Sequence, residues 1–526
     1  MAGTEFSAAF SAARTRRTLW SALLDSVSTH GKNKIILEDP ERSPLTYGRL
    51  VLGALVLGAK LRDLTNNAER VGVLLPNVQG IAVTVFGLTA FGRVPAMLNF
   101  TAGLKNLRAA CEVGDIRTIV TSRRFVDQGK LDDAVAALEQ GRRVIYLEDV
   151  RKQITSLDKI IGAVASITPR STVGAKLDVD GEAVVLFTSG TEGLPKGVVL
   201  SHANLVANAM QIFAHADGML SANDVVMNPL PVFHSFGLTA ATLMPLLSGM
   251  KVVMYPTPLH YKQVPKLIGE TGCTVLFGTD TFLQGYARAA DEASLGTVRI
   301  VIAGAERVKD ETRRMWEPYG ATICEGYGCT ECAPVLTCNT IGEGARHGSV
   351  GRMLPGITHR LDKVEGIDTG GRLFVQGPNV MMGYLLADRP NTIVAPDGGW
   401  HDTGDIVDID EAGFITIKGR AKRFAKLGGE MISLAAVESM VSSLWPGHNH
   451  VVVSLPDPKK GEQLVLITEK PDGDRKALLK EAQAQGFPEL WIPRAILVTQ
   501  AIPVLGSGKV DYTATRDLAQ TMRTLL

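Results

Sequence analysis

The chain has 526 residues, 45% of them hydrophobic and 21% charged. That length exceeds three average domains of ~150 residues and predicts two or three structural units, not one small module. Its 55 Lys and Arg against 54 Asp and Glu leave a net charge of +1, no field for gathering nucleic acid or an anionic membrane, and six cysteines are too few for a disulfide scaffold.

The opening stretch, MAGTEFSAAFSAARTRRTLWSALL, is Arg- and Ser-rich and acid-poor, so a transit peptide competes with an amphipathic first helix, and the helix is preferred. The uncharged run from Val71 to Gly92 is long enough to span a bilayer. Pro76, Asn77, Gln79 and several glycines instead divide it into a strand (VGVLL), a turn and a helix (QGIAVTVFGLTAFG). Further strands are predicted at TIVT (118–121), at RVIYL from 143, AVVLF from 183, KVVMY from 251, CTVLF from 273 and VRIVIAG from 298. They alternate with predicted helices at 202–214, 260–271 and 308–318, and later at 475–486 and 511–524. Strands separated by helices imply parallel sheets covered on both faces. From about 345 the texture turns to short strands with Gly and Pro turns (RLFVQGPN, GFITIKGR), predicting a β-rich subdomain over about 345–419. A compact βα pattern follows Gly419-Arg420, which places a domain boundary there. The expected class is therefore α/β: a large N-terminal domain, 1–419, of parallel sheets covered by helices plus the β-rich subdomain, and a small α+β domain, 420–526.

The strongest local signal is Thr188-Ser189-Gly190-Thr191-Glu192-Gly193-Leu194-Pro195-Lys196-Gly197, directly after the apolar strand AVVLF. Hydroxyls and backbone N–H groups freed by glycines at a strand end form a nest for phosphate oxygens, and Lys196 adds positive charge. The G-x-x-x-x-G-K-[ST] pattern of a Walker A loop does not occur. This stretch resembles the signature loop of the adenylate-forming superfamily of acyl-CoA synthetases, luciferases and peptide-synthetase adenylation domains. Three further motifs follow in that family's order: Tyr327-Gly328-Cys329-Thr330-Glu331, then Trp400-His401-Asp402-Thr403-Gly404-Asp405 with Gly419-Arg420, and Ser507-Gly508-Lys509.

The resemblance implies roles that the chemistry can explain. Joining a carboxylate to the α-phosphate of ATP opposes two anions, so cations and oriented N–H groups are needed where charge accumulates. Glu331 is implied as the Mg2+ ligand, with Thr330 beside it on the phosphates. Thr188, Ser189, Gly190, Thr191, Gly193 and Lys196 are implied to hold the triphosphate. Adenine is implied to lie against Gly304, Ala305, Gly326 and Tyr327. Asp405 accepts from the ribose hydroxyls, Arg420 donates to ribose or phosphate, and Lys509 is implied as the adenylation lysine. In PLPVFHSFGL, Ser235 and Gly237 fit a nucleophile elbow poorly, since Phe233 stands where the first Gly belongs. The family's P-x-x-H-x-x-G stretch lines the carboxylate site, which gives His234 that role. Cys324, Cys329, Cys332 and Cys338 have the C-x4-C-x2-C spacing of plant-type iron–sulfur ligands. Two of them interrupt the Thr330-Glu331 motif, however, and all are read as small buried thiols.

Apolar flanking segments without a charge for an amino group favour a fatty acid over an amino acid. The wording LPVFHSFGLTAATLMPLLSG, EGYGCTECAPV and GRAKRFAKLGGEMISL further resembles the ligase half of the bacterial acyl-acyl-carrier-protein synthetases that are fused to 2-acylglycerophosphoethanolamine acyltransferase. That resemblance implies a cytoplasmic, ATP- and Mg2+-dependent enzyme that adenylates a long-chain fatty acid and passes it to the thiol of holo acyl carrier protein. Transfer to CoA is the alternative reading, and a fatty acid- or nucleotide-binding protein without turnover is a third. No H-x-x-x-x-D occurs, so transacylation is not expected of this chain. By the same resemblance the small C-terminal domain is mobile about Lys422. Arg420, Lys422, Arg423 and Lys426 then form a basic patch suited to an acidic carrier protein or the phosphates of CoA. A fatty substrate also allows peripheral contact with the inner face of the membrane.

Overall fold

The structure, a computed structural model, describes residues 10–173, 177–189, 195–291, 293–427, 430–457, 461–485, 487–504 and 510–524. These fall into two compact units. The large one comprises residues 1–358 and 376–401, and the smaller one residues 359–375 and 402–526.

The large unit is built on two mixed sheets. In the first, five neighbouring strands run parallel: Glu182–Ser189, Val94–Met97, Arg70–Val73, Thr118–Thr121 and Arg143–Tyr146. In the second, the parallel set is Thr322–Gly328, Ile300–Ala303, Val275–Gly278, Val225–Asn228, Lys251–Met254 and Ile35–Glu38. Val94–Met97, Thr118–Thr121, Val275–Gly278 and Ile300–Ala303 are buried at every position. Burial on both faces is why these strands read as continuous apolar runs in the sequence. The strand and helix predicted within Val71 to Gly92 both form, as Arg70–Val73 and Gln79–Ala90. The helix is apolar all round because it is enclosed, and among the described residues no helix is long and apolar enough to cross a membrane.

Near the start of the chain, Thr18 caps the helix Leu19–His30, its side chain accepting from the Ser21 amide. Leu19, Trp20, Leu23 and Leu24 of that helix are buried in the core, each contributing roughly 1.5–3 kcal/mol of burial. Asn77, in the turn ahead of Gln79–Ala90, spends its side-chain amide across the two sheets. Its Nδ2 donates to the carbonyls of Asn228 (2.8 Å), Leu230 (3.1 Å) and Tyr255 (3.1 Å).

The expected β-rich subdomain at 345–419 does not stay together. Gly383–Leu386 hydrogen-bonds antiparallel to Pro195–Ser201 and joins the first sheet, with Arg389–Val394 beyond it. Arg352–Met353 pairs with Val335–Cys338 at the edge of the second sheet. Only Thr358–Asp362, Gly371–Gln376, His401–Ile409 and Ile415–Arg420 form a sheet of their own, and nearly all of it belongs to the smaller unit. Backbone pairing, to which sequence texture is blind, decides the division.

The rest of the smaller unit is the hairpin Phe424–Leu427 with Glu430–Ser433, the three-stranded sheet His450–Asp457, Gly461–Thr468 and Ala495–Val498, and helices Leu434–Leu444, Arg475–Ala484 and Tyr512–Thr524. Val437, Val441, Leu466 and Leu478 are fully enclosed in its core.

Candidate active site

Within the large unit, the strands Glu182–Ser189 and Pro195–Ser201 flank the glycine-rich loop, and Thr188 stands opposite Lys196 in their antiparallel register. Gly190, Thr191 and Gly193 of that loop lie outside the described residues. On the far side of Pro195–Ser201, Tyr384 stands opposite Val198. Lys196 is therefore its diagonal neighbour on the same face, and Lys196 Nζ lies 5.1 Å from the centre of the Tyr384 ring.

The Tyr384 hydroxyl donates a 2.7 Å hydrogen bond to Glu331 Oε1. Burial, reinforced by the adjacent Glu331 carboxylate, holds the phenol well above its ordinary range, so it stays protonated as a donor. Thr330 and Glu331 belong to a single 3-10 turn, Thr330–Cys332, closed by the Cys332 amide on the Cys329 carbonyl at 2.9 Å. The chain doubles back tightly there. A Cβ on Gly328 would fall 1.9 Å from the Pro334 carbonyl oxygen, so only glycine fits. The stretch leading to Tyr384 holds the turn from its backbone side, with the Met381 amide donating to the Glu331 carbonyl and Asn379 Nδ2 to the Cys332 carbonyl, both at 2.8 Å.

The Ser235 hydroxyl donates to Thr330 Oγ1 at 3.3 Å, which brings the His234 segment against the same turn. His234 is half-buried, its ring 4.8 Å from that of Phe233. The segment continues as a π-helical stretch, Phe236–Leu243, a conformation found often at functional sites. A Cβ on Gly237 would meet the Pro231 carbonyl oxygen at 2.3 Å, and the chain can fold onto itself there only without one. A small packing gap of about 10 Å³ lies among Ile81, Val85, Phe86, Val232, Leu238, Thr242 and Leu243. Gly304 and Ala305 follow the parallel strand Ile300–Ala303, and Gly326 and Tyr327 end the neighbouring strand Thr322–Gly328. Both pairs sit at the carboxyl ends of strands, where parallel sheets bind ligands.

In the smaller unit, Asp405 and Arg420 are cross-strand partners joined by an ion pair of 3.3 Å. Asp405 is almost wholly buried, whereas the Arg420 side chain is 71% exposed. The Thr403 hydroxyl accepts from the Asp405 amide, and Arg372 grips Asp402 with two nitrogens, so the turn that carries Asp405 is fixed.

The expected basic patch needs correction. Arg423 is not a surface cation: it donates to Glu438 Oε1 at 2.6 Å and lies 3.7 Å from the centre of the Tyr512 ring, with only 13% of its side chain exposed. Burial pushes the Glu438 carboxyl up, and the Arg423 charge opposes that shift. Lys422 and Lys426 are exposed, the latter 3.8 Å from Glu365. Lys509 lies outside the described residues.

The cysteines also divide. Cys324 Sγ lies against Met219 Sδ and the Thr340 carbonyl, and Cys338 Sγ points to the Asn339 carbonyl. Both are drawn away from Cys329 and Cys332, so the four do not form one ligand set. Tyr384 was absent from the motifs read from the sequence. Its signal, a tyrosine after the glycine of an apolar strand, is shared by many core tyrosines.

Comparison with known proteins gives the family. The AMP-binding enzyme family profile matches residues 24–385, and the chain belongs to that family. The chain is 28% identical over 495 residues to a feruloyl-CoA synthase of Amycolatopsis sp, covering 90% of this chain and 94% of that one. It is 26% identical to a long-chain-fatty-acid–CoA ligase of Yersinia pestis, covering 85% of each. ATP-bound MatB from Rhodopseudomonas palustris superposes with a TM-score of 0.80 at 25% identity, over 96% of this chain and 99% of that one. Enzymes of this family use ATP and Mg2+. The oxygen donors of Glu331 and Thr330 suit such a hard cation, and the nearby Lys196 charge suits a polyphosphate.

Two outcomes follow from these contacts. Tyr384→Phe removes the donor to Glu331 while keeping the ring. A hydrogen bond to a charged group is worth about 1.5–3 kcal/mol, so adenylate formation, read as pyrophosphate release, is expected to fall about 10- to 150-fold with the fold intact. Unchanged turnover would remove Tyr384 from the site. Arg423→Ala leaves the buried Glu438 without its cation, holding only the Val452 amide, and is expected to destabilise the smaller unit by about 3 kcal/mol. Denaturant unfolding measures this, and an unshifted midpoint would return Arg423 to the surface patch.

Proposed function

We propose that this chain is a long-chain fatty acid ligase that uses ATP and Mg2+ to form acyl-AMP and pyrophosphate, and then makes a thioester on holo acyl carrier protein. In the first step a carboxylate oxygen attacks the α-phosphorus and pyrophosphate leaves; in the second a thiolate attacks the acyl carbonyl and AMP leaves. The observation that carries the reading is the Thr330–Glu331 turn, fixed by Tyr384 beside Lys196 and touched by Ser235. Glu331 would hold Mg2+, and Thr188, Ser189, Lys196 and the loop between them the phosphates. Gly304, Ala305, Gly326 and Tyr327 would receive adenine, and Asp405 and Arg420 the ribose. His234 would face the substrate carboxylate, Lys509 would bridge carboxylate and α-phosphate, and the 420–526 domain would swing about Lys422 between the two steps.

The apolar segment that follows His234, FGLTAATLMPLL, supports an aliphatic acid, since it offers no charged partner for an amino group. For the acceptor, the exposed Arg420, Lys422 and Lys426 support an acidic carrier protein. The relative named a long-chain-fatty-acid–CoA ligase supports CoA as the second reading. Purified protein with ATP, Mg2+ and a long-chain fatty acid is therefore offered holo acyl carrier protein and CoA in parallel. Acylated carrier protein is the expected product, and acyl-CoA alone would overturn the acceptor assignment. Lys509→Ala is expected to slow pyrophosphate release about 10²–10³-fold, as loss of a charge-stabilising group does; undiminished release would refute the lysine assignment.

A membrane contact is part of the same proposal. The helix Ser156–Ala165 exposes Leu157, Ile160, Ile161 and Val164, and Ile167 extends the stripe. Its Asp158 pairs at 2.9 Å with Lys60 of the helix Tyr47–Leu64, which holds the stripe outward. Such a face suits shallow insertion into a lipid surface. Cosedimentation with phosphatidylglycerol vesicles is expected, and to be lost in the double variant Ile160→Glu, Ile161→Glu; equal binding by the two would exclude the stripe.

A further inference from the structure

The Thr330–Glu331 turn is bracketed by two cysteines, and the structure adds a third group. Cys329 Sγ, Cys332 Sγ and a ring nitrogen of His401 all lie within 4.8 Å of one another. Three residues make one turn of 3-10 helix, so side chains at i and i+3 eclipse, and the turn Thr330–Cys332 brings the Cys332 thiol alongside that of its capping residue Cys329. His401 arrives at the start of the strand His401–Ile409. Cys332 and His401 are buried and Cys329 is half-buried, so the group is shielded while keeping one open side.

We infer that Cys329, Cys332 and His401 form a zinc site that clamps the Thr330–Glu331 turn. Thiolate and imidazole together are a soft, nitrogen- and sulfur-rich donor set that selects Zn2+ over the hard Mg2+ of the neighbouring carboxylate. With Zn–S near 2.3 Å and Zn–N near 2.0–2.1 Å, tetrahedral ligand atoms stand about 3.5–3.8 Å apart, which atoms lying within 4.8 Å of one another reach by moving about 1 Å or less. Binding releases the two thiol protons to solvent and leaves the fourth position to water. A disulfide would account for the two sulfurs but not for the histidine beside them. An iron–sulfur cluster would need Cys324 and Cys338, which the fold turns elsewhere. The site does not depend on which thiol accepts the acyl group. Its consequence is mechanical: the metal would hold both ends of the short segment that presents Thr330 and Glu331, as the Asn379 side-chain amide and the Met381 backbone amide also do.

The test uses the whole 526-residue chain, loaded with Zn2+, passed over a chelating resin and analysed for metal. About one equivalent of zinc is expected. Co2+ in its place should give a thiolate-to-cobalt charge-transfer band in the near ultraviolet. Cys329→Ser and His401→Gln should each weaken metal binding at least about 100-fold and abolish the band, whereas Cys111→Ser, in a separate part of the core, should keep both. In case the variants fold poorly, alkylation of native wild-type protein followed by mass mapping gives an independent readout, in which Zn2+ should protect Cys329 and Cys332 together. The inference is overturned by less than about a tenth of an equivalent of zinc, or by binding undiminished in both variants. Recovery of iron with acid-labile sulfide, or of a Cys329–Cys332 disulfide without metal, overturns it equally.

Discussion

The antiparallel ladder between Gly383–Leu386 and Pro195–Ser201 is the contact on which the candidate site depends. Those segments are separated by almost two hundred residues, and only their backbone pairing puts Tyr384 beside Lys196 and within 2.7 Å of Glu331. For the role proposed for Glu331, holding a cation among phosphates, a carboxylate must be kept in place without being neutralised. A phenol that stays protonated does this, since it donates a hydrogen bond and adds no charge of its own. The same stretch secures the backbone of the turn through Asn379 and Met381. One strand addition thus orders both the side chain and the main chain of the Thr330–Glu331 segment.

The two sheets supply the rigid frame for this arrangement. Their parallel strands bury both faces, so register is strongly specified: a one-residue slip would reverse the side of every side chain. Asn77 ties the frame across its middle, its buried side-chain amide shared among the carbonyls of Asn228, Leu230 and Tyr255. In the sequence Asn77 marked only a break in an apolar run. Its role needed the second sheet, whose strand Val225–Asn228 lies some 150 residues away.

Charge patterning was the least legible layer. Arg420, Lys422, Arg423 and Lys426 look alike as a run of cations, yet Arg423 turns inward to Glu438 and Tyr512 while Lys422 and Lys426 face solvent. A long side chain at a strand or turn position goes wherever a buried partner awaits it, and Glu438 stands on a helix that local sequence does not connect to Arg423. Cysteine spacing, already set aside in the sequence reading as a cluster signal, also differs from the grouping in space. C-x4-C-x2-C groups Cys324 with Cys329 and Cys332, but the strand Thr322–Gly328 carries Cys324 back toward Met219, and His401 takes the place by the other two.

The sequence by itself determined the α/β class, nearly all of the strands and helices named in advance, and the family, because apolar periodicity and contiguous motifs are local and each motif carries its chemistry within a few residues. It also singled out Thr330, Glu331, Asp405 and Arg420 as candidates, because their neighbours in the chain are part of their signature. Tertiary structure alone decided the division of residues 345–419 between two units, the link from Tyr384 to Glu331, the inward turn of Arg423 and the meeting of His401 with two cysteines. Each of these is a pairing between segments distant in the chain. It is fixed by backbone hydrogen bonds and by the cost of leaving buried polar groups unmatched, and neither leaves a periodic trace in sequence.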